Sequence, residues 1–166
     1  MSTLVLVHVI ISLIAIVAGL IVMFGLLGSR SMPGLTATFL LLTILTSATG
    51  FVIPPLVIEK LLPSHIIGGL SLVLLAIACI ALYVMRLNGI WRPVYVVTAM
   101  VSLYLNVFVL VIQSFLKVPA LQALAPAVAP NPPSGPVFAA VQGIVLVFFV
   151  VVTIGIWRRF RPMRLA

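Results

Sequence analysis

The chain has 166 residues, 64% of them hydrophobic and 6% charged, with nine Lys and Arg against a single carboxylate and a net charge of +8. A water-soluble domain has about a quarter of its residues charged, so the polar surface here is too scarce for a globule in water and the composition fits a bilayer. The lone carboxylate, Glu59, excludes a paired-carboxylate hydrolase and a carboxylate-bridged di-metal site, and basic residues that flank apolar runs without interleaved aromatics exclude a nucleic-acid interface.

The first apolar run covers about residues 4–27, long enough to cross ~30 Å of hydrocarbon. It has no basic leader and is longer than the apolar stretch of a secretory signal. Gly28, Ser29, Pro33 and Gly34 predict a turn around Arg30. The second run, about 35–53, stops at Pro54-Pro55, a pair that no helix continues through. A loop with Glu59 and Lys60 follows. Ser64 is an N-cap candidate for the third run, about 65–87, which Asn88-Gly89 ends. Cys79 lies within that run and reads as a small core residue; a single cysteine excludes an internal disulfide.

Trp91 beside Arg92 reads as an interfacial anchor. Pro93 falls in the first turn of the fourth run, about 93–116, where a missing N–H costs nothing. The segment 117–136 carries six prolines, Pro119, Pro126, Pro130, Pro132, Pro133 and Pro136. It predicts a short surface helix near Ala120–Leu124 and then extended chain. The fifth run covers about 137–157, and the basic tail 158–166 ends the chain. The fold class is therefore all-α, a single polytopic domain of five transmembrane helices.

Charge placement predicts the orientation. With the N-terminus outside, Arg30, Arg86, Arg92, Arg158, Arg159, Arg161 and Arg164 all fall in cytoplasmic segments, and only Lys60 and Lys117 fall outside. Cytoplasmic loops carry such an excess of Lys and Arg. The C-terminus is then cytoplasmic, its arginines facing anionic lipid headgroups. The expected location is a plasma membrane, the inner membrane in a bacterium.

Helical periodicity places polar residues on faces. Tyr95, Thr98, Ser102, Asn106, Gln113 and Lys117 share one stripe of the fourth run, and Thr36, Thr43, Ser47 and Gly50 one of the second. His8, Ser12, Ala15 and Gly19 line up on the first, and His65, Gly68, Gly69, Ala76 and Cys79 on the third. Small and hydroxyl residues concentrate where membrane helices pack, so these stripes mark inward faces. At 1.5 Å rise per residue, His8, Gln113 and Gln142 reach nearly the same depth, about one turn below the outer surface. His65 and Lys117 lie just above that level, and Asn106 about two turns deeper. Groups of this kind are costly against lipid and should converge. The expectation is an outward-opening polar pocket lined by His8, His65, Asn106, Gln113 and Gln142, with Lys117 and Glu59 at its rim.

Three functional readings fit that pattern. One is a non-catalytic accessory or assembly subunit of a membrane complex, or a homo-oligomer, because the chain lacks the charged groups on which most pumps and enzymes rely. A second is a haem b electron carrier with His8 and His65 as axial iron ligands. A third is a quinone, lipid or small-solute site, with amides and imidazoles for a carbonyl or hydroxyl and apolar walls for a tail. Two nitrogen ligands without an intramembrane carboxylate are too few for a metal hydrolase.

Overall fold

The computed structural model describes residues 3–53, 63–125 and 133–161, and of residues 63 and 64 the backbone only. Glu59, Lys60, Arg164, the Pro54-Pro55 stop and residues 126–132 of the proline-rich loop lie outside the described residues. Every regular element among those described is helical. α1 is Thr3–Leu27, α2 Pro33–Gly50, α3 Pro63–Cys79 continuing into a π-helical turn Ile80–Val84, α4 Trp91–Lys117, α5 Pro119–Gln122 and α6 Pro136–Arg159. Among the described residues, five helices are long and apolar enough to cross a membrane, with lengths of 25, 18, 20, 27 and 24 residues. At ~1.5 Å per residue each spans about the hydrocarbon thickness.

Proline sets several helix starts. Pro33, Pro119 and Pro136 occupy the first turn of α2, α5 and α6, where the fixed φ suits a helix and no N–H is lost. Pro63 is the first helical residue of α3; Ser64 therefore lies inside the first turn and not at the N-cap. α2 stops at Gly50, short of the proline pair. The amides of Phe51 and Val52 bond back to the carbonyls of Ala48 and Thr49 at 3.2 and 3.0 Å. Such tightened i→i−3 bonds satisfy end carbonyls.

The end of α3 departs further from the sequence reading. Met85 N–H bonds the carbonyl of Ile80, a π-type i→i−5 bond, and Leu87 N–H bonds that of Ala81. The wider turn brings Arg86 and Leu87 into the left-handed region, at φ 48° and 57°. The extra residue shifts the facing of everything after Cys79, which regular 3.6-residue periodicity does not anticipate.

α4 is the central helix. It packs against α1, α2, α3 and α6, and α2 lies between α1 and α3, which do not touch. The side chains α4 buries run mainly from Tyr95 to Leu103. Opposite them are Val22 and Met23 of α1, Phe39 and Leu40 of α2, Leu75 of α3 and Ile156 of α6, all nearly solvent-free. Buried positions of α1 begin only at Ala15. The bundle is thus tightly packed in the half near the arginines and looser in the half that holds His8 and Gln113.

The arginine end is also tied by polar bonds. Ser29 Oγ donates to the carbonyl of Arg159 at 2.7 Å. The guanidinium of Arg92 donates to the carbonyls of Phe160 and, at 3.4 Å, Trp157. The α1–α2 turn and the start of α4 together satisfy the orphan carbonyls at the C-terminus of α6, where positive charge also suits the helix dipole.

Candidate functional site

The polar side chains at the opposite end are positioned mostly by α2. His8, on α1, holds its Nδ1 2.7 Å from Thr49 Oγ1. The Thr49 hydroxyl also faces the carbonyls of Leu45 and Thr46, at 2.8 and 3.2 Å. A hydroxyl has one proton. With that proton on Leu45, His8 donates from Nδ1 and keeps the lone pair on Nε2. Gly50 lies beside this imidazole, where a Cβ would make ordinary van der Waals contact with His8 Cε1 at 3.8 Å.

His65 lies near the start of α3 and is buried. Its ring stacks on Phe51 just past the end of α2, with centroids 5.6 Å apart and planes 13° from parallel. Gly68 and Gly69 follow on the same side of α3, and a Cβ on Gly68 would meet the Phe51 ring at 3.4 Å. The two histidines therefore contact the end of α2 through residues two apart. Thr49 and Phe51 point about 200° apart on a helical wheel, so the imidazoles approach from different sides of α2.

The remaining expected residues are dispersed. Asn106 Nδ2–H reaches Thr43 Oγ1 at 3.5 Å, a weak link between α4 and α2. Gln142 is buried and its Nε2–H donates to the carbonyl of Phe108 at 3.1 Å, joining α6 to α4. Its Oε1 is buried with no hydrogen-bond partner in the structure. Gln113 is exposed on α4, and Lys117 is exposed at the end of the same helix, close enough to His8 for their charges to interact. The structure thus brings His8, His65 and Lys117 to one end of the bundle. It directs Asn106 and Gln142 into separate helix–helix seams and Gln113 outward.

Two cavities stand out, and neither is lined by these residues. One is an open apolar groove on α6, formed by Ala140, Gly143, Ile144, Val147 and Phe148. The other, of about 120 Å³, lies at the arginine end beside the π turn, with Thr36, Tyr95 and Leu87 in its wall. The sequence marked Thr36 and Tyr95 as inward-facing but carried no sign of the cavity, whose wall also includes Leu82 of the π turn and Leu87 just beyond it. Among the described residues no three His, Cys, Asp or Glu side chains gather as a metal site. No protein-family model, curated protein or solved structure matches this chain.

Proposed function

We propose that this small polytopic membrane protein is a non-catalytic accessory or assembly subunit that packs against another protein within the membrane. The observation that carries this reading is the use made of polar side chains within the bundle. His8 links α1 to α2, Asn106 links α4 to α2, and Gln142 links α4 to α6. Arg92 and Ser29 bind the end of α6. These groups hold helices together, the ordinary role of polar residues in membrane interfaces.

α6 supplies a docking face. Only 17% of its most apolar window is buried, and its open groove contains Ala140 and Gly143. A Cβ on Gly143 would meet nothing within 4 Å. Small residues on an exposed helix face let a second helix approach closely. Gln113 adds an exposed amide, which a protein partner satisfies better than lipid does.

Extraction into native-lipid discs tests the reading. The expected result is a stoichiometric protein partner that survives washing and is lost in Gly143→Leu, with the thermal transition of the chain unchanged. Recovery of only a bare monomer refutes it. A Soret band that disappears in His8→Ala or His65→Ala replaces it with a haem carrier. A co-purified isoprenoid whose binding is weakened by Gln113→Ala or Gln142→Ala replaces it with a quinone site.

A further inference from the structure

The half-open cavity at the arginine end combines three features that the subunit reading does not use. Its apolar wall comes from Leu26, Leu87 and Phe160, and its polar lining from Ser31, Thr36 and Tyr95. Thr36 and Tyr95 are buried side by side in its wall, while Ser31 lies exposed at the mouth. The volume of about 120 Å³ equals roughly four water molecules at ~30 Å³ each, room for a glycerol-sized group.

The second feature is charge. Arg30 precedes Ser31, Arg86 precedes Leu87 and Arg161 follows Phe160, so three exposed guanidinium-bearing residues flank lining positions. No Asp or Glu occurs among the described residues, so none of them has a carboxylate partner there. The third feature is backbone strain. Arg86 and Leu87 both hold positive φ without being glycine, an unusual conformation for a bulky residue and one that clusters at ligand-binding and switch regions. The π turn that leads into it is itself a geometry frequent at functional sites.

We propose that this cavity is a seat for one anionic phospholipid. The phosphate lies among Arg30, Arg86 and Arg161, a hydroxyl-bearing headgroup such as glycerol enters toward Ser31 and the Thr36–Tyr95 pair, and the acyl chains run along the exposed Tyr83 and Val84. A headgroup ending in an ammonium is disfavoured, because its positive charge meets only guanidinium groups. Arginine suits the phosphate through paired N–H donors. The proposal is independent of the subunit reading.

The test uses the full chain, delipidated in detergent and titrated with phosphatidylglycerol, phosphatidylethanolamine or glycerol phosphate, with bound species read by native mass spectrometry. Phosphatidylglycerol should bind as a single tight copy, about tenfold better than phosphatidylethanolamine. Arg30→Gln and Arg86→Gln should each weaken it about five-fold, the factor corresponding to ~1 kcal/mol per basic residue. Ser31→Leu keeps every charge but fills the mouth, and should weaken binding as well. Lys117→Gln, at the other end of the bundle, should leave it unchanged. Equal binding of the two lipids, or no effect of Ser31→Leu, overturns the proposal in favour of unspecific charge attraction. Displacement of the lipid by equimolar glycerol phosphate overturns it in favour of a site for soluble phosphate. If Arg86→Gln does not fold, Arg30→Gln and Ser31→Leu decide the matter.

Discussion

At Gly19, α1 packs tightly against side chains of both α2 and α4. A Cβ there would stand 2.5 Å from Leu103 Cδ1 and 2.8 Å from Phe39 Cδ2, and both side chains are fully buried with no space to retreat. Gly19→Ala should destabilise the fold by about 1–3 kcal/mol through overpacking, read as a lower thermal transition in detergent. Gly25→Ala is the control. Its new Cβ meets the Met32 thioether end, and an unbranched, half-buried methionine swings aside at little cost. The transition temperature should then move far less than in Gly19→Ala. The inward facing of Gly19 was legible because it shares the helical stripe of His8, Ser12 and Ala15. What it touches was not, since Phe39 and Leu103 come from other helices. The same holds for His8: its depth and face followed from spacing, whereas its bond to Thr49, 41 residues away, depends on the register in which α1 and α2 pair. Gln142 was recognisable as costly against lipid, but its solution, a backbone carbonyl on α4, has no signature in residue types.

Among elements, the join between α4 and α6 is fastened at the arginine end by Arg92. In the sequence this residue is only one more topological cation. In the fold its guanidinium serves two carbonyls at the end of α6. Charge-assisted hydrogen bonds contribute about 1.5–3 kcal/mol, so Arg92→Ala should lower the unfolding free energy by ~2 kcal/mol. Arg92→Lys should restore less than half of that, because an ammonium lacks the planar fork that reaches two acceptors. Equilibrium unfolding in mixed micelles measures both. Pro136, expected at the end of the loop, is the first residue of α6, whereas Pro93 made the first turn of α4 legible. The end of α3 was not. Asn88-Gly89 pointed to a helix running to Leu87, while the chain takes a π turn and leaves the helix at Met85. Residue types do not encode a π turn, because its cost is balanced by packing of Ala81 and Leu82 against neighbouring helices.

For the whole molecule, the antiparallel arrangement collects every described arginine at one end and Lys117 at the other. The positive-inside rule predicts that the arginine end is cytoplasmic. In a Cys79→Ser background, a thiol at exposed Val118 should react with a membrane-impermeant maleimide added to intact cells, and a thiol at exposed Ser31 should react only after permeabilisation. The reverse pattern would invert the bundle and assign the phospholipid seat to the outer leaflet. The packing asymmetry matters at this scale as well. The arginine half buries the large side chains around Tyr95 and Met100, so it should resist hydrogen exchange longest, whereas the half with His8 and Gln113 retains more exposed surface for a partner.

Composition was enough to specify a chain of long apolar helices suited to a membrane. With so few charges and such long apolar runs, every backbone polar group in a bilayer must be satisfied within its own helix. That constraint is local, so segment count, approximate span limits and the inward faces of α1 and α2 could be read from order and spacing alone; on α3 the expected Ala76 is exposed while Ser71, Leu75 and Ala78 are buried, and on α4 the stripe ends before the exposed Gln113 and Lys117. Neighbour identity is not local. That α4 sits at the centre, that α2 separates His8 on α1 from His65 on α3, and that the arginine end encloses a cavity all depend on which helices pack together and in what register. Those choices arise from the summed fit of many side chains, each contributing little, and only the assembled bundle expresses them.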